Sequence, residues 1–139
     1  MASIMNKTIK KAKGKLALDA IKCICQSNMR SEVCGFLGWD EKGGFYVVRE
    51  ALNIAEEPEK YFLIDPLEYL LFKEDYDLIA VFHSHLIGDE KPSEFDKKMA
   101  FNSCNPFLIY SLNTEKINIY EPENMECNID MLERIKELI

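Results

Sequence analysis

Both histidines of this 139-residue chain fall in one short run, His83-Ser84-His85, and Ser93 and Asp96 follow it in the pattern H-x-H-x7-S-x2-D. Residues i and i+2 of a strand project to one face, so two imidazoles at a strand end can hold a single metal ion. Asp96 stands three positions after Ser93, which makes their side chains neighbours on a helix. Two histidine nitrogens and one aspartate oxygen are three protein ligands. Zinc held by three protein ligands keeps a position for water, the arrangement of catalytic rather than structural sites. Two blander readings stand beside this one. Ser93-x-x-Asp96 fits a helix capping box with the acid shortened to Asp, and paired histidines at a strand end also occur as plain polar surface. Their conjunction at fixed spacing favours the metal, and Ser93 can cap a helix and still face the site.

The surrounding chain supplies elements that can position these groups. Asp77 to Phe82 is an apolar run that reads as a buried strand, with His83 and His85 at its end. Gly88 to Pro92 is a polar loop, and Ser93 opens a helix expected to reach about Cys104. Upstream, Lys15 to about Met29 carries Leu16, Ala17, Ala20, Ile21, Ile24 and Cys25 at helical spacing. A hairpin is expected from Glu32–Trp39 and Phe45–Arg49 around the turn Asp40-Glu41-Lys42-Gly43-Gly44. An irregular loop from Asn53 to Lys60 leads to a short strand, Tyr61–Ile64. Asp65-Pro66 then starts a helix running to about Glu74, with Asp at the cap and Pro in the first turn. Pro106–Leu112 and Lys116–Tyr120 read as two strands joined by a turn, and Asp130–Ile139 as a closing helix. Intermixed strands and helices give an α/β fold, a sheet covered by helices. Gly35 and Gly38 inside a strand mark a bulge or a close backbone approach: either a substrate lies alongside, or the strand packs tightly on the first helix.

The string His83-Ser84-His85…Ser93…Asp96, preceded by Ser31-Glu32-Val33-Cys34-Gly35-Phe36-Leu37-Gly38, resembles the JAMM metalloprotease motif, the active form of the MPN domain. The resemblance runs from about Leu16 to about Tyr120. Asn53-Ile54-Ala55, Pro58, Phe62-Leu63-Ile64-Asp65-Pro66 and Pro92-Ser93-Glu94-Phe95-Asp96 are similar to prokaryotic and phage members. Leu86 departs from the family's usual Pro after the second histidine. The resemblance implies a mixed, curved sheet flanked by helices in the JAMM/MPN, cytidine-deaminase-like architecture. It implies Zn2+ held by His83, His85 and Asp96, and Glu32 as general base and then proton donor to the leaving amine. Ser93 would donate a hydrogen bond to the oxyanion. The reaction implied is hydrolysis of a peptide or isopeptide bond. The implied partner is a protein substrate with an extended tail, of ubiquitin-like, sulfur-carrier or phage tail type. The alternative within the family is a scaffold that binds a partner without catalysis. A small-molecule deaminase is disfavoured, because its signature needs P-C-x-x-C beside H-x-E and neither is present.

Composition bounds the rest. The length suits one domain with a core of its own. The net charge of −7 argues against a nucleic-acid binder. Lys7, Lys10, Lys11, Lys13 and Lys15 form a basic cluster without an acid among them. Residues 1–14 are therefore expected to be a flexible basic arm and 15–139 a single JAMM/MPN domain. No apolar run approaches the roughly 20 residues of a membrane span, and no signal-peptide stretch opens the chain. The expectation is a cytoplasmic protein, in the host cytoplasm if phage-encoded. The five cysteines are odd in number and scattered without C-x-x-C, which predicts free thiols rather than bridges.

Overall fold

The computed structural model describes residues 14–123 and 138, and residues 6–10 by their backbone. Nine elements follow one another. They are β1 (Asn6–Lys10), α1 (Gly14–Gln26), β2 (Cys34–Asp40), β3 (Phe45–Ala51), α2 (Pro66–Asp75), β4 (Asp77–His85), α3 (Glu94–Ser103), β5 (Phe107–Ser111) and β6 (Ile117–Tyr120). The strands form one sheet in the order β1-β3-β2-β4-β5-β6. Every neighbouring pair is antiparallel except β4 and β5, which are parallel and joined through α3. The sheet is therefore mixed and the fold α/β, as the interleaved pattern predicts.

Alternation along the strands sorts the core into two layers. On one face α1 contributes Ala17, Ala20, Ile21, Ile24 and Cys25 to a cluster with Leu37, Trp39, Tyr46, Val48, Phe82, Leu108 and Tyr110. On the other face Phe72 of α2 and Ala100 of α3 pack with Cys34, Phe36, Val47, Val81, Phe107 and Ile109. Leu16, expected on the buried stripe of α1, is exposed. Leu138 is buried against the α1 layer, while the remainder of the expected closing helix lies outside the described residues. Among the described residues no helix is long and apolar enough to cross a membrane.

Three expectations change. Asn6–Lys10, placed in a flexible arm, pairs as edge strand β1 with β3 in the register Asn6↔Arg49 to Lys10↔Phe45. Charge pattern alone marked it as an arm, and its Lys-bearing sequence is equally that of a sheet edge protected by charge. Tyr61–Ile64 is not a strand. Asn53 takes the backbone groups a ladder would use: its Oδ1 accepts from Ala55 N and Leu63 N, and its Nδ2 donates to Tyr61 O and Glu32 O. The third change concerns the glycines. Strand β2 is paired on both edges, by β3 and β4, so no substrate chain can add to it. A Cβ at Gly38 would collide with the Phe72 ring of α2, and one at Gly35 with Arg49 O and the Phe82 ring. The glycines admit aromatic rings, and Gly38 packs on the second helix rather than the first. A bulge does occur here, since the β2–β4 register shifts between Leu37 and Gly38.

Candidate metal centre

The apolar run of β4 ends at His83 and His85, and strand alternation turns both rings to the α3 side. His83 is fully buried. Phe62 stacks on its ring at 4.4 Å and Phe107 meets it edge-on at 5.4 Å. Packing holds this ring, because its Nδ1 is buried with no hydrogen-bond partner. His85 is held differently: its Nδ1 lies 2.8 Å from Asp89 O, which makes Nδ1 the donor and leaves the lone pair of Nε2 facing the site.

Asp96 reaches both rings. Its Oδ1 lies 3.0 Å from His83 Nε2 and its Oδ2 2.8 Å from His85 Nε2. The helix start aims it. Ser93 is the N-cap of α3, its Oγ accepting from Asp96 N at 3.0 Å, while Ser93 N donates to Asp96 Oδ2 at 3.0 Å. The capping box and the His83–His85–Asp96 cluster are thus one arrangement: Ser93-x-x-Asp96 caps the helix, and the same carboxylate faces both imidazoles. His83, His85 and Asp96 present ligand atoms within 4.8 Å of one another, a group that could hold a metal ion. The donor set fits a cation. Two imidazole nitrogens stand 3.3 Å apart against a buried carboxylate, an arrangement that positive charge among them, whether a metal ion or protons on the rings, stabilises.

Burial raises the Asp96 carboxyl, but hydrogen bonds from the imidazoles, which donate through Nε2 when that nitrogen carries a proton, and from Ser93 outweigh it and hold the group far below the usual carboxylate range. Burial lowers the pKa of His83 against the opposing pull of Asp96. For His85 burial is overcome by the Asp96 and Asp89 hydrogen bonds, and its pKa rises.

Glu32 stands just before β2 and is buried. Burial pushes its carboxyl up to about 8, with His85 opposing and Asp96 adding. Its N–H donates to Pro58 O at 2.7 Å, its carbonyl accepts from Asn53 Nδ2, and the next residue, Val33, is held by Ser84 of β4. Glu32, His85, Ser93 and Asp96 line one open cleft of about 470 Å³. Glu59–Tyr61, His85–Asp89 and Lys91–Ser93 also line it, and Phe95 faces Tyr61 with ring centroids 5.4 Å apart. All five residues singled out in the sequence therefore gather at one end of the sheet. The supporting groups Ser84, Asn53 and the Asp89 carbonyl were not among them. Asn53 lay in a string already noted as shared with phage members, whereas a main-chain carbonyl leaves no mark in a sequence.

Residues 16–127 match the model of the prokaryotic homologs of the JAB domain. The chain is 25% identical over 117 residues to the tail tip assembly protein K of Escherichia phage N15, covering 84% of this chain and 46% of that protein. It thus spans about half the length of that curated relative. The solution structure of protein DSY2949 from Desulfitobacterium hafniense superposes with a TM-score of 0.59 at 27% identity, over 73% of this chain and 75% of that one.

Proposed function

The chain belongs to the family of prokaryotic JAB-domain homologs, and from that premise we propose that it is a zinc-dependent metallopeptidase that hydrolyses a peptide or isopeptide bond. The observation that carries this reading is the convergence of His83 Nε2, His85 Nε2 and the Asp96 carboxylate beside a buried Glu32 in one open cleft. Zinc bound by these three residues supplies a Lewis acid that makes water nucleophilic near neutral pH.

The chain's own groups do the rest. Glu32, whose burial favours a proton, takes one from the attacking water and returns it to the leaving amine. The Ser93 hydroxyl accepts from Asp96 N and keeps its own proton to donate. It serves the carbonyl oxygen of the scissile bond as negative charge develops there, a contact typically worth roughly 3 kcal/mol. The cleft is open rather than enclosed, which suits an extended tail. The substrate is accordingly the flexible tail of a protein, of ubiquitin-like, sulfur-carrier or phage tail type. The likeness to a tail tip assembly protein supports the last.

Elemental analysis combined with a cleavage screen on tailed proteins tests the reading. One zinc per chain and cleavage within a tail are expected for the native sequence, with both lost in His83→Ala and Asp96→Ala. Full zinc content in the two variants would overturn the ligand set. Zinc binding and partner capture without any cleavage would make the protein a scaffold instead.

A further inference from the structure

The second histidine is oriented by a main-chain carbonyl, and that carbonyl belongs to a loop that is itself tied down. Residues 86–92 leave β4, and Asp89 O returns to accept from His85 Nδ1 at 2.8 Å. One residue earlier, Gly88 O accepts from Ser111 Oγ at 2.8 Å. Ser111 is fully buried at the end of β5, and its Cα pairs directly with His85 across the parallel β4–β5 ladder. Leu112 N also donates to His85 O at 3.0 Å. The hydroxyl of Ser111 in turn accepts from Asn113 N and Thr114 N, so the β5–β6 turn is organised around it. That turn grips the loop a second time, since Thr114 Oγ1 donates to Glu90 Oε1 at 2.6 Å.

Gly88 makes the return possible. Its φ of +86° lies in the left-handed region, which costs little only for glycine. No atom lies within 4 Å of where its Cβ would be, so backbone conformation and not space is the constraint.

We propose that Ser111, acting through Gly88 and the Asp89 carbonyl, is a positioning residue for the metal ligand His85. The β5–β6 turn then serves as a clamp that fixes the Nδ1–H tautomer and the aim of Nε2. An imidazole ligand is set by what its other nitrogen donates to, and outer partners of this kind typically change metal affinity by about 10–100-fold. The inference rests on the metal-site reading above, and it explains how a loop with Leu86 in place of the family's usual proline still holds one path.

The test measures zinc affinity by chelator competition, and the imidazole ¹⁵N shifts of His85 in the metal-free protein. Ser111→Ala is expected to bind zinc about 10–100-fold more weakly, and to lose the distinct Nδ1–H signature of His85 without any metal present. Gly88→Ala changes an exposed loop position outside the core, where the strain of the left-handed backbone falls on the loop itself, and it should shift both readouts the same way. It carries the test if Ser111→Ala does not fold. Thr114→Val should give a smaller loss in the same direction. Affinities within about twofold of the native chain together with an unchanged His85 tautomer would overturn the clamp. Failure of the native sequence to bind zinc at all would instead overturn the metal-site reading, and the ¹⁵N shifts would still report on the clamp by themselves.

Discussion

Ser84, the residue between the two histidines, grips the backbone of Val33 twice: its hydroxyl accepts the Val33 N–H at 2.8 Å, and its own N–H donates to the Val33 carbonyl at 2.9 Å. It is fully buried. The strand that aims His83 and His85 therefore also fixes the segment carrying Glu32, so the proposed ligands and the proposed proton carrier share one frame. Ser84→Ala leaves a buried N–H without its partner, a loss typically of about 1–3 kcal/mol. Zinc content should stay near that of the native chain. Turnover should fall by about 10–100-fold, because small displacements of a reacting group are costly. Denaturant melts and steady-state rates on a validated substrate check both, and native turnover at full zinc content would show that Ser84 does not position Glu32.

Ser93 has two jobs that substitutions can separate. Ser93→Ala removes the N-cap acceptor of α3 and should cost about 1 kcal/mol of stability. It should also lower turnover by about 10²–10³ through loss of a donor to the developing oxyanion. The backbone N–H that holds Asp96 Oδ2 survives in alanine, so zinc should be retained. Ser93→Asn keeps a strong cap and is expected to restore the melting temperature without restoring the rate. Recovery of both would reduce Ser93 to a cap.

The thiols differ in reach. Cys23 is exposed, Cys25 and Cys34 are buried, and Cys104 is half-buried. Burial first, and then Glu50 for Cys25 and Glu68 for Cys34, pushes the two buried thiols well above the usual range. A thiol reagent should label Cys23 in the native protein and leave Cys25 and Cys34 untouched until unfolding. After denaturation without reductant all five cysteines of the chain should react. Peptide mass spectrometry reads the order, and labelling of Cys34 at the rate of Cys23 would contradict its burial.

The clustering of His83, His85 and Asp96 was legible because metal chemistry constrains side-chain type and spacing together. His83 and His85 need a strand end, and Asp96 needs the first turn of a helix; both demands are written in local pattern. The helix starts at Asp65 and Ser93 were legible for the same reason, since their caps are side chains acting within three residues. What escaped depends on distant partners. Tyr61–Ile64 has the residues of a strand, but Asn53 satisfies its backbone from eight to ten positions away. Asn6–Lys10 looks like a solvated arm until β3 offers it an edge. Gly38 needs Phe72 from another element to explain it.

Glu32 gives the last prediction, on pH. Its carboxyl titrates near the usual 4.5 in the unfolded chain and at about 8 when folded, because burial disfavours its charge. Between those values the folded protein holds a proton that the unfolded chain has released. Stability from this group is therefore full below about pH 4.5 and is lost as pH rises towards about 8. Glu32→Gln cannot titrate and keeps the shape. In chelator, the variant should melt near the native chain at pH 5 and clearly above it at pH 8.5. His83, His85 and Asp96 titrate in both proteins, so their direct contributions cancel in the comparison. Zinc should narrow the gap, since a cation in the cleft favours the carboxylate. Turnover should nevertheless fall by about 10²–10⁴ in Glu32→Gln, the usual worth of a general base. A variant both more stable at high pH and catalytically crippled is the signature of a buried acid kept for proton transfer. A melting difference that does not change between pH 5 and pH 8.5 would mean that Glu32 is solvated and ionised like a surface carboxylate.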